Sequence, residues 1–253
     1  MFSKDKLGTL VITGASRGIG AAIATLASTR GYALAVNYRT GEAEAAAVVK
    51  TIIASGGRAL AIRGDVGREE DIVRLFETAE QELGPIKGLV NNAAVTGGFA
   101  RVDEVTAEAL ADVMAVNVVG AMLCAREAVR RMSTRHGGSG GAIVNISSRA
   151  AHTGAAGEWV HYAASKGAID SFTIGLAREV AAEGIRVNAV APGLVETGIH
   201  AANGEPGRLQ RLMGTIPMGR AGVPDEIAEG VMWLLSPAAS YVTGAILEIG
   251  GGR

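Results

Sequence analysis

Short, nearly all-apolar runs recur along this chain between longer segments with helical spacing. That alternation constrains the fold more than any other feature. The strand-like runs lie at 7–13, 33–38, 58–63, 88–91, 142–147, 186–190 and 245–249, and the helix-like runs near 18–30, 41–55, 68–83, 106–135, 160–183 and 224–235. A strand covered on both faces loses the apolar–polar alternation of a half-exposed one and reads as a continuous apolar run. Seven such runs interleaved with helices predict an α/β protein: a doubly wound, parallel seven-stranded sheet with helices on both faces and right-handed crossovers.

The 253 residues suit one domain spanning 1–253, and neither a linker nor an internal repeat interrupts the pattern. Gly-Gly-Ser-Gly-Gly at 137–141 falls between a long helix and a strand, which predicts a surface turn. With 48% hydrophobic and 19% charged residues, a packed core needs no staples. The net charge of −1, without a basic stripe or a basic amphipathic run, points away from nucleic acid and membrane surfaces and toward a small-molecule partner. The single cysteine, Cys124, permits no internal disulfide and lies in an apolar helical run, as a buried filler would. Residues 1–6 lead straight into a strand with no signal-peptide core, and no membrane span is evident, so a cytoplasmic protein is expected.

Gly14, Gly18 and Gly20 close the first strand and open a helix, spaced G-x-x-x-G-x-G. Glycines there let the backbone turn sharply and approach a pyrophosphate, while the helix N-terminus offers N–H groups and positive dipole. This is the cradle of a dinucleotide-binding Rossmann unit, with Gly14, Ser16, Arg17, Gly18, Ile19 and Gly20 as its candidate contacts. The second strand ends Val36-Asn37-Tyr38-Arg39. An NAD-binding unit carries an acid near this point for the ribose 2′-hydroxyl. Here no carboxylate stands at the tip to repel a 2′-phosphate, and Arg39 and Arg17 can each donate to one, so NADP is expected over NAD. Asp65-Val66 follows the third strand; Asp65 either accepts from the adenine amino group or caps the helix starting near Arg68. Asn91-Asn92-Ala93-Ala94 ends the fourth strand at the ligand-binding edge, where Asn side chains tie strands together as easily as they touch ribose.

The chemistry lies further on. Tyr162 and Lys166 stand four apart at the start of a helix and so share one face. A phenol is a poor base at neutral pH, and a nearby ammonium favours the phenolate. Tyr162 is then placed to exchange a proton with an alcohol or carbonyl, and Ser148, ending the fifth strand, to hold the substrate oxygen. His136, His152, His161 and His200 show no paired metal-ligand spacing. His152, Glu158, Trp159 and His161 flank the catalytic helix and either line the substrate mouth or are plain loop residues.

On these motifs the chain resembles a classical short-chain dehydrogenase/reductase over essentially its full length. The segments that carry the resemblance are 13–20, Asn91–Ala94, Asn117, Ser148, Tyr162-Ala163-Ala164-Ser165-Lys166, Pro192-Gly193-Leu194-Val195-Glu196-Thr197 and Tyr241-Val242-Thr243-Gly244. Within the family it most resembles uncharacterised and glucose-1-dehydrogenase-like NADP-dependent members. The resemblance implies that Asn117 holds a water for a proton relay through Lys166 and that Lys166 also binds the nicotinamide ribose. It further implies that Pro192 and Gly193 shape the loop under the nicotinamide, that Val195 and Thr197 meet its carboxamide, and that Asn92, Ala93 and Ala94 lie along the cofactor. It implies a homotetramer built partly on the helices 106–135 and 160–183. Two departures stand out: Asn-Asn-Ala-Ala where the family usually has Asn-Asn-Ala-Gly, and a Ser-to-Tyr segment one residue longer, so that Ser148 is the match and Ser147 the runner-up.

The stretch 194–217 has the length of a substrate loop, with His200, Asn203 and Glu205 as polar candidates. Glu183 stands before Gly184, where carrier-linked reductases of the family often have a basic residue, which favours a free small molecule over an acidic carrier. The expected activity is NADP(H)-dependent hydride transfer to or from a secondary alcohol or carbonyl, with a sugar as one candidate. The alternatives are a 3-oxoacyl-thioester reductase of the same family, a non-catalytic NADP sensor, and a structural subunit with a vestigial site.

Overall fold

The computed structural model describes residues 7–198 and 205–253. Seven parallel strands, β1 (Thr9–Ile12), β2 (Ala33–Tyr38), β3 (Arg58–Arg63), β4 (Ile86–Asn91), β5 (Gly141–Ile146), β6 (Ile185–Pro192) and β7 (Ile246–Ile249), form one sheet in the order β3-β2-β1-β4-β5-β6-β7. The chain winds outward from β1 to β3, then returns to pair β4 on the other side of β1. A crevice opens at that reversal, beyond the carboxyl ends of β1 and β4.

Successive side chains of a strand face opposite ways, and both faces here are apolar. Leu10, Ile12, Leu34, Val36, Val90 and Val144 meet helix α1 (Gly18–Thr29) and the helix Pro224–Leu235 through Ile23, Ala24, Ile227 and Val231. Val11, Ala35, Leu89, Ile143 and Val187 meet α3 (Glu69–Leu83), α5 (Ala121–Met132) and α7 (Val160–Val180) through Leu75, Phe76, Cys124, Ala128 and Ala177. Each fully buried Leu or Ile contributes roughly 1.5–3 kcal/mol relative to exposure. Helix α2 (Glu42–Ala54) adds Ala45 and Ile52 on the α1 side.

The predicted helix over 106–135 is a composite. Helix α4 (Ala107–Met114) passes through a π-helical turn, Ala115–Gly120, into α5. The stretch Ala107–Met132 is long and apolar enough to cross a membrane, which the sequence reading did not register. It is a core helix, with Cys124, Ala125, Ala128 and Met132 packed under the sheet. The glycine run at 137–141 is a turn between α5 and β5, closed by Gly138 N–H to the Ser133 carbonyl at 2.9 Å and Gly140 N–H to that of Met132 at 2.7 Å. A short helix, α6 (Ala150–Thr153), and another at Arg208–Leu212 were not predicted; both are too brief to leave a periodic signal.

Candidate active site

A cavity of about 770 Å³ occupies the crevice and gathers nearly every residue singled out above. Gly14, Ser16, Arg17, Gly18, Ile19, Asn37, Tyr38, Arg39, Asp65, Val66, Asn92, Ala93 and Ala94 line it, as do Ser148, Tyr162, Lys166, Pro192, Gly193, Val195 and Thr197. Gly20 and Asn117 do not line it; both lie behind its wall.

The glycine turn is shaped by close backbone approach. Gly14 has φ +62°, and a Cβ there would lie 2.9 Å from Ala93 Cα. A Cβ on Gly20 would lie 2.6 Å from both Asn92 Nδ2 and the Gly14 carbonyl oxygen. The turn is fixed from two sides. Asn92 donates to the carbonyls of Thr13 and Gly14, each at 2.9 Å, and Thr13 Oγ1 accepts from the N–H groups of Asn92 and Ala93. Asn37 accepts from Gly14 N–H at 3.2 Å and donates to the Ile62 and Gly64 carbonyls at 3.3 and 3.0 Å. The amide at the tip of β2 thus binds β3 and the glycine turn together. Ala94 has no positive φ, so the departure from glycine there carries no backbone strain.

Arg17 and Arg39 both open onto the same cavity. Arg39 lies 3.7 Å from Asp65, whose Oδ1 accepts from Gly67 N–H at 2.9 Å. Asp65 therefore closes a local turn and holds Arg39. It does not cap α3, whose N-cap, Arg68, makes no side-chain cap bond.

At the substrate end, α7 begins at Val160 and brings Tyr162 and Lys166 onto its cavity face. Ser148, not Ser147, is the serine whose side chain acts on the Tyr162 hydroxyl. Ser147 is buried and turns to the Lys166 carbonyl and the Asp170 carboxylate. Burial pushes the Tyr162 phenol up to about 12, against the Ser148 hydrogen bond and the charge of Arg208. The sequence reading has Lys166 lower the Tyr162 pKa; burial outweighs the neighbouring charges, and the phenol stays raised. The Lys166 ammonium lies over the ring, 5.6 Å from its centroid, and donates to the Ile146 carbonyl at 2.7 Å. Burial pushes Lys166 down to about 8, opposed by Asp170.

Asn117 sits in the π turn, a feature that recurs at functional sites. Its Oδ1 accepts from Val95 N–H and its Nδ2 donates to the Val95 carbonyl, both at 2.8 Å; Nδ2 also reaches Ser165 Oγ at 3.0 Å. Asn117 thus joins the stretch after β4 to α7 through Val95 and Ser165. Beneath it, Asn91 donates to Asn145 Oδ1, which in turn donates through Nδ2 to Thr173 Oγ1, both at 2.9 Å.

Of the flanking residues, Glu158 and Trp159 line the cavity, whereas His152 and His161 do not. His161 is buried with Nε2 2.7 Å from the Thr96 carbonyl oxygen. No group of three or more metal-ligating side chains occurs among the described residues. Within 194–217, His200 and Asn203 lie outside the described residues, and Glu205 faces Arg211 at 3.6 Å. Sequence reasoning missed Arg208, which lines the cavity and binds Glu158, 50 positions earlier in the chain. No local pattern marks so distant a pair.

The fold, the glycine turn and the Ser148–Tyr162–Lys166 cluster define a nicotinamide-dependent oxidoreductase. The chain belongs to the short-chain dehydrogenase/reductase family: the family pattern described as "Enoyl-(Acyl carrier protein) reductase" matches residues 14–253. It is 48% identical over 243 residues to the "Uncharacterized oxidoreductase YgfF" of Escherichia coli (strain K12), covering 96% of this chain and 98% of that protein. It is 37% identical over 250 residues to the "Glucose 1-dehydrogenase 2" of Bacillus subtilis (strain 168), covering 98% and 96%. Among solved structures, the angucycline C-6 ketoreductase LanV with bound NADP superposes with a TM-score of 0.89 at 34% identity, covering 98% of this chain and 95% of that one.

Proposed function

We propose that this protein is an NADP(H)-dependent reductase of small-molecule carbonyls, reversible to oxidation of the matching secondary alcohol. The observation that carries the reading is one cavity that joins the Ser148–Tyr162 pair to the glycine turn and to Arg17 and Arg39. The cavity fits a dinucleotide. Gly14 leaves open the space that a Cβ would fill against Ala93, and α1 presents its N-terminus to the same cavity, as a pyrophosphate site requires. Arg17 and Arg39 offer cations for a 2′-phosphate, and no acid stands on the tip of β2 to oppose one. The ketoreductase with bound NADP supports the same choice of cofactor.

A nicotinamide held by these residues would supply the hydride. The chain supplies the rest. Ser148 and Tyr162 both line the cavity and would hold the substrate oxygen between their hydroxyls. With its phenol near 12, Tyr162 is protonated at neutral pH and is ready to donate to the developing alkoxide. Lys166, mostly an ammonium at pH 7, keeps a positive charge over the ring as the proton leaves. Glu183 is engaged by Ser133 and by Arg135 at 3.9 Å, and its acidity still disfavours an acidic carrier protein near that corner. A free small molecule, with a sugar or lactone among the candidates, is the substrate class proposed. We place the enzyme in the cytoplasm as a homotetramer; the outward apolar side chains Leu110 and Met114 on α4, Val119 in the π turn, Met122 on α5 and Ile174 on α7 support the assembly.

A panel of ketones, aldehydes, quinones and sugar lactones, followed by NADPH absorbance and repeated with NADH, tests the reading. Turnover with at least one carbonyl and a clear preference for NADPH is expected. Equal use of NADH would remove the cofactor choice, and no turnover alongside tight NADPH binding would favour a sensor.

A further inference from the structure

Resting on that reading, one buried cation remains without a role. Arg208, on the short helix of the substrate segment, is only 7% exposed yet lines the catalytic cavity. Its guanidinium lies 4.3 Å from the centroid of the Trp159 ring. Trp159 stands edge-on to Tyr162 with centroids 6.0 Å apart, braced from behind by Phe99 at 4.7 Å. Arg208 donates twice to one oxygen of Glu158, from Nε at 3.0 Å and from the terminal amine at 2.6 Å; Arg211 takes the other oxygen at 2.9 Å. Two cations therefore share one carboxylate. Glu205 offsets Arg211 only from the solvent side, where screening is strong.

Burying a guanidinium costs several kcal/mol, and an apolar side chain would tether the segment to Trp159 as well. The charge itself calls for an explanation. We propose that Arg208 is a positioning residue for the proton step: docked on Trp159, it supplies from the short helix Arg208–Leu212 a second cation that stabilises the Tyr162 phenolate, so that proton transfer is coupled to docking of that helix.

The other charged groups around Tyr162 do not take this place. Lys166 is tied to the Ile146 carbonyl, and Asp170 lies behind it, one helical turn further on. Arg149 and His152, from the end of β5 and α6, face Glu248, and Arg149 also donates to the Arg253 carbonyl at 2.7 Å. Arg253 lines the cavity with its own charge crowded by Arg208 and Arg149, and His161 is bonded to Thr96. Of these cations, Arg208 is the one seated on Trp159, the ring that stands edge-on to Tyr162.

The test is the ionisation of Tyr162 in the NADP complex, read from the ¹³C shift of labelled tyrosine Cζ and assigned with Tyr162→Phe. This readout needs no turnover. Arg208→Met is expected to raise the ionisation pH by about half a unit or more, and Arg208→Lys to restore most of it. Glu158→Gln, which frees the cation from its carboxylate, is expected to lower it. Should Arg208→Met fail to fold by circular dichroism, the Lys and Gln variants decide alone. An unchanged ionisation pH in Arg208→Met, or an upward shift in Glu158→Gln, would overturn the proposal and leave Arg208 a tether whose loss raises KM only. The expected shifts in the variants, together with a wild type that reduces no carbonyl, would instead count against the functional reading.

Discussion

Lys166 sits 3% exposed at the heart of the site, and its ammonium is held there against desolvation. Its pKa falls from 10.5 to about 8. Below pH 8 it is charged in both the folded and unfolded chain, and folding carries the full burial cost. Between about 8 and 10.5 the unfolded chain binds the proton more readily, so stability rises with pH. Lys166→Met should therefore stabilise the fold at pH 7 by about 2 kcal/mol, with the difference fading toward pH 10.5, while turnover is lost. Urea unfolding at pH 7 and pH 10 reads this directly. The pairing of Tyr162 with Lys166 was legible in the sequence because four residues make one helical turn. The sign of the phenol's shift was not, because it depends on how deeply the ring is buried and where the ammonium finds its acceptor. Arg208 was illegible for a related reason: its partners Glu158 and Trp159 meet it only through the tertiary fold.

Among the elements, α3 and α5 are locked by charge as well as by apolar contact. Glu127 on α5 is 3% exposed and is reached by Arg130 and Arg131 at 2.8 and 2.7 Å; Arg126 bridges it to Glu69 on α3, and Arg131 reaches Glu80. Burial raises the Glu127 carboxyl, but the hydrogen bonds from Arg131 and Arg126 outweigh it and leave the pKa lowered. A depressed carboxylate stabilises above its unfolded pKa and loses that contribution as pH falls through the folded one. Glu127→Gln is expected to cost about 2 kcal/mol at pH 7, with the gap to wild type closing as pH falls below the ordinary carboxylate range, as thermal unfolding across pH would show. The strands and long helices were read closely because uninterrupted apolar runs announce a sheet covered on both faces. The π turn at Ala115–Gly120 was not, since an extra residue in a helix leaves the apolar spacing nearly intact. It matters because it sets Asn117 against Val95 and Ser165.

For the whole molecule, the sheet order places the crevice, and the crevice places the chemistry. The outward faces of α4, α5 and α7 carry apolar side chains that a solitary subunit would leave in water, with Val119 half exposed. Light scattering on the purified protein is expected to give four times the 25.7 kDa chain mass, and Val119→Asp to reduce it. A monomeric wild type would contradict that assembly. The central claim is that Tyr162 passes the proton while the surrounding cradle holds the cofactor. Tyr162→Phe, measured for NADPH-dependent carbonyl reduction and for NADPH affinity by calorimetry, tests it most directly. The account predicts turnover down by about a thousandfold or more with affinity changed by no more than about threefold. Turnover near the wild-type rate in that variant would contradict it.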